Sequence, residues 1–549
     1  MTADLDTQLA DAPHVDGSAE RRRIRMATLI FSGATFLSRI LGLVRETVTS
    51  AVFGATSHYS AFVVANQIPN LLRSLVADSA LSAAFVPVFT ELREAGEHER
   101  AWKVASAVCS IIVCVLGPLT FLAMVFAPLF VRPFVDSTFS PHDVTLAIGL
   151  VRVLLPIVLI LALSGVVVGI LNSNDRFGAA AIAPVAWNLI IIGALGAGTL
   201  LAPRSWEIWI LAAATLGGTV VQALLPVPWL RGLGGSLRAT FSWSDPKVRQ
   251  IFKLMLPVTI SLGLINLEQV ISSFYAVHVD ASRLVSGLDA GAGPALLDKA
   301  FRIYMLPQGI FSVAVTTVFF PVLARMTARG DGPGFAATVD SGLRRIMILL
   351  VPSSVFVGVF AVPVTRLLYE RGKFDDAQSQ GVALALVAFA IGLTFNGLSL
   401  MLIRSFFALR ATWVPTWTSC ASIVTNVVVA GLTFRAWGVF GCALATSVAN
   451  IVGVVLLYTL LRRRTTGLAT RGTLLVGLGV LAASIVAMGI AGAAYFEWER
   501  YAGRSFLATL VGVSAALAIA APIYLRLGAA FGVVPRGLLR NLRGGGAAT

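Results

Sequence analysis

Fourteen apolar stretches follow one another along the chain, each long enough to cross a bilayer as a helix, for which about 20 residues suffice. They fall near residues 24–54, 59–92, 101–131, 143–172, 178–202, 206–230, 249–278, 294–327, 342–369, 378–408, 412–434, 438–461, 472–496 and 504–533. Polar turns or basic clusters separate them. With 57% hydrophobic and 13% charged residues among 549, and a mean hydropathy of +0.85, this much apolar surface does not fit inside one water-soluble core. The sequence therefore predicts an all-α polytopic membrane protein with 14 transmembrane helices.

The charges predict orientation. A formal net charge of +15 suits nucleic acid only where a soluble basic module holds bases, and none is visible. The positive residues lie instead at Arg21 to Arg23, Arg25, Arg93, Arg100, Lys103, Arg176, Arg231, Arg238, Lys247, Arg249, Arg325, Arg329, Arg410, Arg462 to Arg464 and Arg471. These are the N-terminal segment and the even-numbered connections, and Arg536, Arg540 and Arg543 join them at the C-terminus. The other loops carry Asp136, Asp143, Asp280, Asp289, Glu497 and Glu499. The positive-inside rule then puts both termini of a multi-pass membrane protein in the cytoplasm.

The order of segments predicts internal symmetry. Residues 68–92 align with 302–326 at an offset of 234, sharing FxPV at Phe85 and Phe319, and a weaker match joins Pro184 to Pro415 at 231. An even helix count preserves topology, so the expectation is two six-helix lobes in parallel repeat plus two C-terminal helices. The boundaries expected are a disordered cytosolic tail (1–25), an N-lobe (26–231), a cytosolic loop (232–248), a C-lobe (249–464), the additional pair (465–533) and a cytosolic tail (534–549).

Against that apolar background, buried charge stands out. The first helix carries Arg39, Arg45 and Glu46, the second Arg73 and Asp78, the eighth Asp298, Lys299 and Arg302. On a helix at about 100° per residue, Arg39 and Glu46 nearly eclipse and Arg45 sits about 120° away. Three arginines facing lipid would cost on the order of 8–10 kcal/mol, so they line water or bind an anion. A guanidinium stays charged and matches phosphate two bonds at a time. For Arg45 and Lys299, near helix ends, an internal ion pair or snorkelling is the alternative. Asn266, Glu268, Gln269, Asn396 and Arg404 suit cavity lining or interhelical hydrogen bonds equally.

Catalytic and redox readings find little footing. No nucleophile elbow, Walker loop or HExxH is present, so neither an enzyme nor an ATP-driven pump is expected. Cys109, Cys114, Cys420 and Cys442 lie singly in apolar runs and read as packing residues, and the histidines lack a second ligand in register. No cofactor or metal is expected.

The run LSRILGLVRE (37–46), VFGA (52–55), IPNLLRSLVADSALSAAFVPVF (68–89) and LLYERGKFD (367–375) closely resembles the MurJ/MviN family, the lipid II flippases of the multidrug/oligosaccharidyl-lipid/polysaccharide exporter superfamily. The resemblance spans about residues 26–533. It implies a V-shaped pair of lobes, a groove for the polyprenyl tail made by the last two helices, and undecaprenyl-diphosphate-linked disaccharide-pentapeptide as cargo. That lipid would move from the inner to the outer leaflet by alternating access, for peptidoglycan synthesis and cell shape.

The substrate-binding residues it implies are Arg39, Arg45, Arg73, Arg302, Glu46 and Asp78, with cell-wall synthesis and division proteins as partners besides lipid. Coupling is expected to the membrane potential or to a monovalent cation. Three positions depart from the pattern: Ser60 stands for an acid, Gln67 for a lysine and Met305 for a glutamate. Some members bind sodium through a carboxylate on helix eleven, yet no Asp or Glu occurs between Ala411 and Leu461. Alternatives are a flippase for another polyprenyl-diphosphate-linked sugar and a non-transporting membrane scaffold for wall synthesis.

Overall fold

The computed structural model describes residues 17–533 except 77–78, 136–137, 175 and 241. Within them, regular structure is helical throughout and no strand occurs. Ten helical segments of the described residues are long and apolar enough to cross a membrane.

The first half opens with α1 (Gly17–Phe53), α2 (Ser57–Val76), α3 (Ser79–Glu94), α4 (His98–Val125) and the short α5 (Ala127–Val131). It continues through α6 (Pro141–Leu154), α7 (Pro156–Asn172), α8 (Phe177–Leu201) and α9 (Glu207–Leu224). The start of α1 at Gly17 lies inside the segment expected to be an unstructured tail. Residues 17–25 are helical because the run after Gly17 is rich in Ala, Glu and Arg, good helix formers that extend the helix beyond its apolar part. Residues 1–16 and 534–549, the remainder of the two expected tails, lie outside the described residues.

The second half comprises α10 (Pro246–Val277), α11 (Gly293–Pro307), α12 (Val313–Arg329), α13 (Gly332–Val359), the short α14 (Ala361–Tyr369), α15 (Asp376–Ala408) and α16 (Trp413–Arg464). Then come α17 (Thr470–Ala502) and α18 (Phe506–Ala530). Starts are capped as the sequence allows, with Asp245, Asp331, Asp375 and Ser505 each accepting a backbone N–H from the first turn. A π-helical turn, Gln308–Ser312, joins α11 to α12 after Pro307, where the missing N–H of proline breaks the regular ladder. Gly438 interrupts α16 with φ 56° and ψ −134°, between the two spans expected there. Boundaries recur at a fixed spacing. His98 and Gly332, which open α4 and α13, stand 234 residues apart, as do Phe126 and Phe360, each followed by a short helix.

Packing joins the halves unequally. α10 lies along both α2 and α3 of the first half and along α16 of its own. Its start is tied by Lys247 to Glu91 at 2.7 Å, and its far end meets α2 where Gln67 donates to Ser273. At the end where α1 stops, polar bonds stitch the halves. Ala55 N–H donates to Gln378 Oε1 (2.7 Å), Ser57 N–H to Asp289 (2.8 Å), Lys373 N–H to the Ala51 carbonyl (2.8 Å), and Ala295 N–H to Ser60 Oγ (3.2 Å). The Lys373 ammonium reaches Glu207 at 2.8 Å. One apolar core runs through both halves at this end, from Phe53 and Tyr59 to Leu296, Tyr369 and Phe389. Separate cores hold α3, α4 and the start of α10, and α13, α15, α17 and α18.

Candidate functional site

Between α1, α2, α10 and α11 lies a cavity of about 400 Å3. Arg39, Arg45, Glu46, Asp298 and Arg302 line it, with Asn66, Gln269 and Met305. The seven-residue spacing of Arg39 and Glu46 brings both to the cavity face of α1, and the four-residue spacing of Asp298 and Arg302 does the same on α11.

Glu46 is the hub. Its Oε1 accepts from Arg45 at 2.6 Å and pairs with Arg302 at 2.9 Å, and its Oε2 pairs with Lys299 at 3.1 Å. Arg302 also donates through Nε to Asp298 at 2.8 Å. Lys299 is fully buried, its ammonium 4.7 Å from the Tyr59 ring centre and 5.3 Å from that of Tyr369. Arg45 lies 4.5 Å over the Trp187 indole. The guanidinium of Arg39 is exposed and forms no ion pair among the described residues; it would stand 3.3 Å from a Cβ at Gly309 in the π-helical turn.

Three arginines (Arg39, Arg45, Arg302) therefore line the cavity with two carboxylates (Glu46, Asp298), and the buried Lys299 behind Glu46 adds a fourth cation, leaving two positive charges unbalanced. Ion pairing occupies part of the guanidinium surface, but Arg302 keeps about a third of its side chain open to the cavity and Arg39 is exposed. Such a site favours a doubly charged anion.

Of the residues expected from sequence, Arg39, Arg45, Glu46 and Arg302 meet in this cavity. Arg73 lines an adjoining space on the first-half side. Asp78 lies outside the described residues. Lys299 is an internal ion-pair partner, one of the two alternatives for it. Tyr59, Trp187 and Tyr369 were not expected as neutral rings beside the buried cations; Tyr369 sits in the LLYERGKFD motif, its nearest sequence signal.

The three departures take ordinary places. Ser60 accepts from Ala295 N–H, the buried Gln67 donates to Ser273 while its Oε1 has no partner, and Met305 is an exposed part of the cavity wall. A third space, about 310 Å3, lies on the second-half side, where Glu268 has a buried Oε1 without a hydrogen-bond partner near Ser272, Asn450 and Thr446. Asn426 of α16 donates to Thr446 at 3.1 Å. Among the described residues no cluster of three or more His, Cys, Asp and Glu occurs.

The cavity thus lies between the two halves of a multi-pass helical bundle. The structure superimposes on an inward-facing multidrug resistance MATE family transporter of the MOP superfamily with a TM-score of 0.65, at 17% identity, over 80% of this chain and 99% of that one. It matches a lipid II flippase MurJ in an inward closed conformation with a TM-score of 0.75, at 23% identity, over 93% of this chain and all of that one. The fold is thus that of the MOP transporters.

The sequence narrows the class. The family described as Lipid II flippase MurJ matches residues 49–512. A protein of Rhizobium tropici described as a probable lipid II flippase MurJ is 31% identical over 525 residues, 93% of this chain and 94% of its own. The lipid II flippase MurJ of Burkholderia cenocepacia is 28% identical, over 86% and 90%. The chain belongs to the MurJ family of lipid II flippases, transporters rather than enzymes.

Proposed function

We propose that the chain carries lipid II from the inner to the outer leaflet of the bacterial plasma membrane by alternating access, its diphosphate held by Arg39, Arg45 and Arg302, with Arg73 at the edge. The observation that carries this is the cavity between the halves lined by three arginines and two carboxylates, with Lys299 buried behind Glu46. Glu46 keeps Arg45 and Arg302 in place while leaving donors for the ligand. Fourteen spans follow if α1, α2–α3 and α10 are added to the ten apolar segments and α16 is counted twice across Gly438. Helix boundaries recurring at 234 residues support two six-helix lobes, with α17 and α18 as the additional pair for the lipid tail. The basic connections support both termini inside.

The membrane potential draws the empty cationic cavity inward and resets the cycle. A monovalent cation would find two carboxylates, Glu268 and Asp298, and the neutral oxygens of Ser272 and Thr446 in the second-half space. The test is complementation of a strain depleted of its lipid II flippase, scored by outer-leaflet lipid II. Arg39→Ala or Arg302→Ala should abolish exposure of the precursor, since losing a charge-assisted hydrogen bond costs about 1.5–3 kcal/mol. Lys replacements should keep part of it, because charge remains without the fork. Full lipid II exposure with both Ala variants together would refute the assignment.

A further inference from the structure

At the end of the bundle that carries the basic connections, α13, α16 and α17 each bring an arginine to one place. Arg462 lies in the last turn of α16, Arg471 in the first turn of α17, and Arg344 of α13 reaches across to that same turn. Arg344 Nε donates to Thr473 Oγ1 at 3.3 Å, and its guanidinium stands 2.9 Å from where a Cβ on Gly472 would be. Glycine at 472 is what lets the guanidinium come so close to α17. Arg463 and Arg464 follow Arg462, and Tyr458 ties α16 to α17 by donating to Thr470 Oγ1 at 2.8 Å.

These charges lack counter-ions. Among the described residues none of the five arginines forms an ion pair, whereas in the first half's basic connections Arg100 pairs with Glu97 and Asp245, and Lys247 with Glu91. A positive-inside bias accounts for the side of the membrane on which they lie, not for the missing partners. The acid of this cluster, Asp340 of α13, is 5% exposed and already accepts from Ala469 N–H at 2.6 Å and Thr473 Oγ1 at 3.2 Å. Arg462 to Arg464 complement the carboxyl end of α16, but Arg471 sits at the amino end of α17, where the helix dipole disfavours a cation. Five cations against one committed carboxylate leave four positive charges unbalanced.

A recess of about 660 Å3 lies between α16 and α17, bordered by Arg462, Arg471 and Thr470. Leu468, Leu474 and Leu475 make up its other wall, the last two exposed along the outer surface of α17 together with Leu478. A cationic rim continuous with an apolar strip matches a ligand that joins an anion to hydrocarbon, which a free phosphate does not. We propose that the recess binds the phosphate of an anionic glycerophospholipid from the adjoining leaflet. Arg462 and Arg471 donate to the phosphate oxygens, and an acyl chain lies along Leu474, Leu475 and Leu478. None of these residues lines the arginine cavity or the space beside it, so this lipid is bound apart from the diphosphate cargo.

The experiment measures binding of phosphatidylglycerol to the full chain in neutral detergent micelles at fixed ionic strength, with phosphatidylcholine and glycerol phosphate as competitors. Arg462→Gln/Arg471→Gln empties the recess of its two bordering charges. Arg231→Gln/Arg238→Gln removes the same charge from exposed residues of the connection before α10. At about fivefold per arginine, the first pair should weaken phosphatidylglycerol roughly 25-fold and the second less than about twofold. Both competitors should displace it poorly, phosphatidylcholine for want of net charge and glycerol phosphate for want of chains. An unfolding midpoint equal to the parent's shows each variant folded, and Arg471→Gln alone, at about fivefold, carries the test should the double variant not fold. Equal weakening by the two pairs, or weakening by neither, overturns the site. Displacement by phosphatidylcholine as effective as by phosphatidylglycerol itself overturns recognition of the anion, and the same result with glycerol phosphate overturns the lipid as occupant.

Discussion

Glu46→Gln removes the one carboxylate shared by three cations and is the sharpest probe of how the cavity is held together. At about 3 Å, with an effective dielectric of about 20, each charge pair is worth on the order of 5 kcal/mol before desolvation is subtracted. The variant leaves Arg302 its bond to Asp298 and Arg45 its stacking on Trp187, and both side chains reach the cavity. Lys299 has neither outlet. It is fully buried, and among the described residues its ammonium has, besides the Glu46 carboxylate, two tyrosine rings and the Glu46 carbonyl at 3.4 Å. Breaking a buried pair from one side costs about 3–5 kcal/mol, whereas replacing both partners by apolar groups is often close to neutral. Glu46→Gln should therefore lose about 3–5 kcal/mol of stability, and the double variant Glu46→Gln/Lys299→Met should recover at least ~2 kcal/mol of it. Equilibrium unfolding in detergent, followed by a probe remote from α1, measures both. If Glu46→Gln costs under ~1 kcal/mol, or if adding Lys299→Met makes matters worse by the full cost of that change alone, the hub reading is wrong.

Other expectations follow from the same contacts. Lys373→Ala removes the tie to the buried Glu207 that helps join the halves where α1 ends; because the ammonium itself is half exposed, the pair is worth about 1 kcal/mol. Labelling of a cysteine placed beside Ala55 should therefore rise up to about fivefold, and unchanged labelling would refute a role for the tie in closure. Gly438→Ala forces a side chain into a backbone region suited to glycine and sets a Cβ 2.5 Å from the Leu284 side chain. It should cost about 1–3 kcal/mol, read as a lower unfolding midpoint; a midpoint equal to that of the parent would contradict it. Arg39→Lys should bind a diphosphate lipid more weakly than the parent but better than Arg39→Ala, and equal affinities for the two variants would show that charge at this position is immaterial.

How far the site was legible can be judged residue by residue. Arg39, Arg45 and Arg302 were readable because a guanidinium in an apolar helix has so few tolerable surroundings that the sequence alone demands a polar cavity. The short helix α14 was not readable as separate from α13. The break at Phe360 follows an unbroken apolar run, with Pro363 two residues inside the next helix, and hydropathy averages across it. Nor could the fate of Lys299 be read. Burial, ion pairing and snorkelling give the same sequence signature when the residue lies near a helix end.

The sequence by itself determined that this chain lives in a membrane, which family it resembles, and that its central arginines are sheltered from lipid, since these depend on local composition and on motifs within single helices. Tertiary structure decided which charges meet. Glu46 and Lys299 are 253 residues apart in the chain, and α1 joined to α11 through such a pair follows only from how α2, α10 and α15 pack around them. The same holds for the orphaned oxygen of Asn188, which becomes conspicuous only when the carbonyls of Ser38 and Pro184 have taken up its amide hydrogens. Hydropathy is additive along a chain and can be summed from sequence, whereas the pairing of buried polar groups is fixed by geometry between distant segments and exists only once they have packed.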